Sequence, residues 1–186
     1  MDILEGIGVS SGVSIAPAFV VKRSDPPITK REIKDSEIET EKEKFQRALD
    51  ITRDQLERTQ NIISKNMGTE HAELVDAQIM LLSDQSIIDR TIQRIEDEKI
   101  CASWVFTKVI DVFLDQAKSM NDPFFRERVQ EFQDIKRRVV SNILGFRHEF
   151  VIKQNESRIL VIDHLSPSET AQLFESNYYG IVYEVG

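Results

Sequence analysis

The chain has 186 residues, of which 40% are hydrophobic and 30% charged, and its formal net charge is −8. With only seven glycines and five prolines, this composition favours long, solvated helices and argues against an all-β fold. The acidic balance argues against nucleic-acid binding. The single cysteine, Cys101, excludes an internal disulfide and a cysteine-based metal site.

The N-terminal stretch is apolar but does not have the features of a targeting segment. It lacks the basic region of a signal peptide and is interrupted by Glu5. No stretch is long and apolar enough to predict a membrane-spanning helix, and a single cysteine fits a reducing compartment. We therefore expect a cytoplasmic protein that binds neither membranes nor nucleic acid.

The first predicted element is a strand. The run SIAPAFVVK (14–22) is rich in Val, Ile and Phe, and a proline pair at 26–27 ends the segment. The glycine-rich stretch GIGVSSG (6–12) precedes this strand and does not open a helix, so it does not predict a dinucleotide site.

Four amphipathic helices are predicted next, over about 34–66, 69–95, 102–120 and 124–144. Apolar residues recur at helical spacing and charges occupy the other faces. Four long helices with short connections predict an antiparallel four-helix bundle. The apolar positions, helix by helix, are Ile38, Phe45, Leu49, Leu56 and Ile63; Leu74, Val75, 79–82, Ile88, Ile92 and Ile95; Val105, Val109, Val112, Phe113 and Ala117; Phe125, Val129, Phe132, Val139 and Ile143.

Local signals mark where these helices end. Gly68 is expected to end the first helix and Thr69 to cap the second, and Gly145 is expected to end the fourth. Within the second helix, SDQS (83–86) predicts a kink or a restart, because Ser and Asp side chains compete with helical hydrogen bonds.

The run IMLL (79–82), beside this break, has two interpretations. At helical spacing, such a run is more often part of a core. A helix break can instead expose Met80 or Leu81, and methionine suits an adaptable binding surface.

The C-terminal part predicts a small βαβ unit. RILVID (158–163) is a continuous apolar run, typical of a strand buried on both faces, and SPSE (166–169) predicts the start of a short helix. IVYEV (181–185) predicts a second buried, parallel strand, and we expect the N-terminal strand to join the same sheet. The predicted fold is therefore an α/β domain, from residues 1–29 and 147–186, with a helical insertion over 30–146 that makes the chain mainly α.

The residues themselves present no convincing catalytic constellation. No pair among His71, His148 and His164 has metal-ligand spacing, and no phosphate loop, GxSxG or HExxH motif occurs. His164 precedes a predicted helix start, which favours anions, but neither a glycine-rich loop nor a basic residue is adjacent. An ordinary loop histidine is the better interpretation.

Five stretches in order resemble the N-terminal half of Enzyme I, the phosphoenolpyruvate–protein phosphotransferase of the bacterial sugar phosphotransferase system. They are GIGVSSGVSIAPAFVV, AQIMLLSDQSI, RERVQEFQDIKRRVVSNILG, LVIDHLSPSETAQL and GIVYEVG. The resemblance implies an α/β phosphohistidine domain, truncated here, with an inserted four-helix domain that docks HPr, a small phosphocarrier protein. It also implies a C-terminal barrel, absent from this chain, that binds phosphoenolpyruvate and Mg²⁺ and forms the homodimer. No cofactor is expected in the fragment itself.

The resemblance further implies that a histidine of the α/β domain takes the phosphoryl group from phosphoenolpyruvate and passes it to HPr. In the family, the strand matching IVYEV is followed by a glycine pair and a Thr-Ser-His turn that contains this nucleophile. Gly186 matches the first of those glycines. We therefore expect the nucleophile just beyond Gly186, and a fragment that docks HPr but is inactive alone.

For HPr binding, the resemblance points to the broken second helix and its neighbours. The matching positions are Glu70, Met80, Leu81, Asp84, Ile87, Phe125 and Arg128. Gln78 stands where well-known members have a histidine, and Gln85 and Ser86 replace an acidic pair after the break. Docking is therefore expected to depend less on charge.

Two alternatives remain open at this point. The first alternative to HPr docking is a four-helix scaffold or adaptor that shares the fold alone; the second is a fragment of a nitrogen-branch paralogue that docks a different HPr-like carrier. HPr docking predicts that Met80 and Leu81 are accessible, whereas the scaffold predicts that both are buried.

Overall fold

A computed structural model describes residues 5–21, 27–119, 129–146, 157–164, 173 and 177–185. Three strands and five α-helices lie within these residues, with a short 3-10 helix, Asp35–Glu37, before the first α-helix. Their bounds are β1 Ala18–Val21, α1 Ile38–Met67, α2 Thr69–Leu82, α3 Gln85–Glu98, α4 Ala102–Ser119, α5 Val129–Leu144, β2 Ile159–His164 and β3 Gly180–Val185. The fold is mainly helical with a small sheet. The predicted second helix is two helices, because the chain restarts at the SDQS break.

The sheet joins the two ends of the chain. Its strand order is β1-β2-β3, and both pairings are parallel. The N-terminal strand therefore joins the C-terminal strands, as predicted. It begins at Ala18 and not at Ser14, since Pro17 has no N–H to donate to a ladder.

The burial of the sheet differs from the prediction. Leu160 and Ile162 on β2 are buried, but Val161 between them is only half-buried. On β3, the predicted buried strand, Ile181, Val182 and Tyr183 are 41%, 52% and 38% exposed, so that prediction was wrong. An apolar run indicates that at least one face of a strand packs against other residues. It does not show which face is covered, because side chains alternate between the two faces.

The helical core follows the predicted stripe of α1. Phe45, Leu49, Leu56 and Ile63 are buried, and α1 packs against all four other helices. The Phe45 ring lies 5.4 Å from the Phe106 ring of α4. All fully buried members of this cluster lie between Ile33 and Val140, and the buried residues of β2 are not among them.

The stripe of α4 was only partly predicted. Val105 and Val109 are buried, but so are Phe106 and Ile110, whereas Val112 is 43% exposed. The buried face is therefore wider than a single row and is centred towards Phe106 and Ile110. Val112 lies beyond its edge, and its placement in the core was wrong.

Two glycines set helix ends. Gly145 (φ 65) ends α5, as predicted. Gly68 (φ 95, ψ 166) joins α1 to α2 and occupies the N-cap position of α2, so Thr69 is the first helical residue and not the cap. These backbone angles are open to glycine because it has no Cβ.

An extended segment before α1 is paired with the loop between α3 and α4. The Ile33 N–H donates to the Lys99 carbonyl at 2.8 Å, and the Cys101 N–H donates to the Arg31 carbonyl at 2.9 Å. The buried Glu41 of α1 then caps α4, because its Oε2 accepts from the Ala102 N–H at 2.9 Å. This pairing holds the start of α4 against α1.

Among the described helices, none combines the length and apolar character that crossing a membrane requires.

Candidate partner-binding site at the break between α2 and α3

The connection between α2 and α3 consists of Ser83 and Asp84. The Ser83 N–H donates to the carbonyls of Ile79 and Met80, and the Asp84 N–H donates to that of Leu81, each at 3.1 Å. The Ser83 hydroxyl also donates to the Ile79 carbonyl at 2.9 Å. The carbonyls of Ile79, Met80 and Leu81, three of the last four of α2, are therefore satisfied without a glycine.

Asp84 caps α3. Its Oδ1 accepts from the Ser86 N–H at 2.8 Å and from the Ser86 hydroxyl at 2.6 Å. These hydrogen bonds hold the pKa of the Asp84 carboxyl below its ordinary value, although burial acts in the opposite direction. The carboxylate is thus charged at neutral pH, at a helix N-terminus that favours negative charge.

Met80 is the exposed member of the IMLL run. Its exposed fraction is 74%, whereas Leu82 is buried and both Ile79 and Leu81 are half-buried against the helical core. Four consecutive residues span slightly more than one helical turn, so they cannot all face the same core. Of the two predicted anchors, Met80 is accessible and Leu81 is partly covered.

Ile87 lies inside the molecule. It is 4% exposed and shares the buried face of α3 with Thr91 and Ile95. Its place in the predicted surface is therefore corrected: Ile87 supports the break from beneath and is not available to a partner. The signal was present in the sequence, because positions 87, 91 and 95 are spaced four residues apart.

The other predicted contact residues are less fully described. Glu70 lies in the first turn of α2. Phe125 and Arg128 lie outside the described residues. A common surface formed by these three residues and Met80 stays a prediction.

Two charged residues of α3 were not predicted as part of this region. Asp89 is exposed and accepts from the Gln85 side chain at 2.7 Å. Arg90 is exposed and lies 5.7 Å from the centre of the Phe113 ring, a cation–π distance. Both positions lie off the buried stripe of α3, which is the signal that could have identified them. Gln78, the predicted departure from the family, is buried.

The surface at the break combines the exposed apolar side chain of Met80 with the exposed charged side chains of Asp84, Asp89 and Arg90. Within the described ranges, no group of three metal-ligating side chains is placed to hold an ion. His148 lies outside the described residues; His71 lies in α2 and His164 ends β2.

Comparison with known proteins gives a family match over most of the chain. The family model described as "PEP-utilising enzyme, N-terminal" matches residues 5–128. The phosphoenolpyruvate-protein phosphotransferase of Listeria monocytogenes serovar 1/2a is 30% identical over 98% of this chain and 32% of its own length. That of Bacillus subtilis (strain 168) is 28% identical over 100% of this chain and 32% of its own length. The chain thus spans 32% of these curated relatives.

Two solved structures share the fold. The NMR solution structure of Enzyme I (nEIt) has a TM-score of 0.78 and 28% identity, covering 90% of this chain and 67% of that one. The N-terminal domain of Enzyme 1 - Nitrogen has a TM-score of 0.70 at 21% identity, covering 94% and 71%, and shows likeness of fold alone. With the family model matching residues 5–128, the chain belongs to the family of PEP-utilising enzymes and corresponds to their N-terminal part.

Proposed function

We propose that this chain is the HPr-docking part of a phosphoenolpyruvate–protein phosphotransferase. In the whole protein, a histidine takes the phosphoryl group from phosphoenolpyruvate and transfers it to a histidine of HPr during sugar uptake. An imidazole nitrogen is then the nucleophile, and catalysis is mostly in-line positioning and charge neutralisation. Docking of HPr supplies that positioning.

The observation that best supports docking is the exposure of Met80 in a chain of this family. A flexible, polarizable thioether suits a surface that must bind and release a partner. Asp89 and Arg90 are exposed on the neighbouring α3. An apolar centre with a charged rim is typical of protein–protein interfaces.

We also propose that the five described helices act as an antiparallel four-helix bundle in which α2 and α3 form one broken helix. The bundle would occupy residues 30–146, as an insertion into an α/β phosphohistidine domain made of 1–29 and 147–186. Two observations support this division. The helical core lies within Ile33–Val140, and β1 pairs with β2 across the whole helical segment.

The remaining properties of the whole protein are proposed from its relatives. Mg²⁺ and phosphoenolpyruvate would bind to a C-terminal barrel outside this chain, which would also form the homodimer. The protein would act in the cytoplasm, where HPr is its partner.

The alternatives differ in what they require of the break. A scaffold or adaptor would bury Met80, so its 74% exposure does not favour that function; the half-buried Leu81 does not discriminate. A nitrogen-branch carrier is supported by the fold likeness to Enzyme 1 - Nitrogen. The sequence identity is 21% with Enzyme 1 - Nitrogen and 28% with Enzyme I. The higher identity favours HPr as the carrier.

The test is an NMR titration of isotope-labelled HPr from the same organism with the unlabelled chain. Saturable shifts around the active-site histidine of HPr are expected. If the chain is folded by circular dichroism and HPr shows no shifts, HPr docking is wrong. The same titration with the nitrogen-branch carrier then tests the alternative.

A further inference from the structure

We propose that Asp84 is a positioning residue for docking and not a charge that contacts the carrier. Its carboxylate caps α3 and thereby fixes the direction in which α2 presents Met80. This inference rests on the proposed HPr docking and assigns a role within the same site.

The change of chain direction is concentrated at Asp84. Ser83 leaves the helical region only slightly, into the bridge region typical of a turn (φ −96, ψ 3), whereas Asp84 is extended (φ −67, ψ 110) and α3 begins at the next residue. A side chain that accepts from the residue two positions on locks its own backbone in a turn. Both hydrogen bonds from Ser86 reach Oδ1 of Asp84. Asp84 therefore fixes its own backbone angles, which set the direction of α3 relative to α2.

Met80 lies one turn before this lock, in the last turn of α2. The residues on either side of the break are anchored in the core: Leu82 is 3% exposed and Ile87 4%. Between these anchors, the Ser83 and Asp84 N–H groups bond to the carbonyls of the Met80 turn. Loss of the cap would loosen both helix ends and change how Met80 is presented.

The competing role for Asp84 is direct attraction to a cation of HPr, since its side chain is exposed. The two roles need different chemistry. A cap needs a short side chain with a hydrogen-bond acceptor, which Asn and Ser also provide. A charge contact needs the negative charge and is weakened by salt.

The experiment measures the dissociation constant of labelled HPr for the wild-type chain and for Asp84→Ala, Asp84→Asn and Asp84→Ser. Asp84→Ala is expected to weaken binding about fivefold, the size of effect expected when a helix cap is lost. The two capping variants are expected to stay within about twofold of wild type. Asp97→Asn is the charge-matched control, because it removes an exposed carboxylate of α3 away from the break and without touching the cap.

Two outcomes of the binding measurement would contradict the positioning role of Asp84. If Asp84→Asn weakens binding as much as Asp84→Ala and flattens its dependence on salt, Asp84 is a charge contact and the positioning role is wrong. If Asp84→Ala weakens binding whereas Asp84→Asn stays within about twofold of wild type and keeps the wild-type salt dependence, the positioning role stands; if Asp84→Ala binds as wild type does, the positioning role is wrong.

A second measurement, on the free variants, does not need HPr. The methyl resonance of Met80 and its rate of oxidation by hydrogen peroxide are compared in the free variants. Both are expected to change in Asp84→Ala and to return to wild-type values in Asp84→Asn. Unchanged values in a folded Asp84→Ala variant overturn the positioning role. If wild type does not bind HPr, the proposed function fails while this measurement still decides the role of Asp84.

Discussion

At the residue scale, Met80 combines an apolar side chain with an exposed position beside a helix break. Interface energy is usually concentrated in a few such residues. Met80→Ala is therefore expected to weaken HPr binding about tenfold. It should change the free energy of unfolding by less than about 0.5 kcal/mol, because the side chain is mostly in solvent.

The matched control for Met80 is Ile51→Ala, an apolar residue on α1 that is 40% exposed. This variant is expected to bind HPr as wild type does in the same NMR titration. If Met80→Ala also binds normally, the apolar contact lies elsewhere on the chain.

Glu41 is a buried carboxylate with partners on three sides. Its Oε1 accepts from Arg31 at 2.7 Å and from Lys44 at 2.8 Å, and its Oε2 accepts from the Ala102 N–H. Glu41→Ala leaves that N–H without its cap and is expected to lower the free energy of unfolding by about 2 kcal/mol. Urea denaturation measures this loss of stability. Glu39→Ala, at a 77% exposed side chain, is the control and should leave the urea midpoint unchanged.

Glu41 also predicts a dependence of stability on pH. Burial alone would raise the pKa of its carboxyl, but the hydrogen bonds from Lys44 and the Ala102 N–H lower the pKa below the ordinary 4.5. The folded state thus binds the proton more weakly than the unfolded state. The contribution of Glu41 to the free energy of unfolding is complete above pH 4.5. It is lost as the pH falls through the lower pKa of the folded state.

The pH dependence is measured as the urea midpoint of wild type and Glu41→Gln, from neutral pH down to about pH 3. Wild type is expected to lose more stability on acidification than Glu41→Gln. Equal losses in the two proteins would contradict the role assigned to this carboxylate.

At the element scale, the α1–α2 connection depends on one backbone conformation. Gly68 has φ 95 and ψ 166, a region that residues with a Cβ rarely adopt. Gly68→Ala is therefore expected to lower the free energy of unfolding by about 2 kcal/mol. An added Cβ would meet no atom within 4 Å, so strain and not a clash is the cause. Gly8→Ala, also in open space and without a positive φ, should be neutral in the same thermal unfolding measurement.

The elements were largely predictable because their signals are local. The stripe of α1, the glycine at the end of α5 and the restart at SDQS depend on residues a few positions apart. The limits of this reasoning appear at Val112. Its spacing from Val105 and Val109 predicts a place on the apolar face of α4, but the packing of the neighbouring helices leaves Val112 exposed.

At the scale of the whole molecule, the helical core and the sheet are built from different residues. The core cluster and the half-buried residues packed on it lie between Ile28 and Ile143. We therefore predict that residues 27–146, expressed alone, keep a helical circular dichroism spectrum and unfold cooperatively. An unfolded or non-cooperative fragment would show that the helices need the sheet.

The sequence by itself determined what depends on short-range patterns: the helical stripes, the presence of the three strands, the break beside Met80 and the resemblance to Enzyme I. These follow from spacing and residue type, which are independent of distant partners. The predicted contacts of Glu70, Phe125 and Arg128 also rest on the sequence alone, and they stay predictions.

The tertiary structure decided which faces are covered and which distant groups meet. Glu41 caps a helix whose first residue lies 61 positions further along the chain, and no local pattern marks that pairing. The exposure of Met80 and of Val112 and the exposed residues of β3 were decided in the same way. Burial depends on the surfaces that pack against a residue, and those surfaces come from segments that periodicity does not connect.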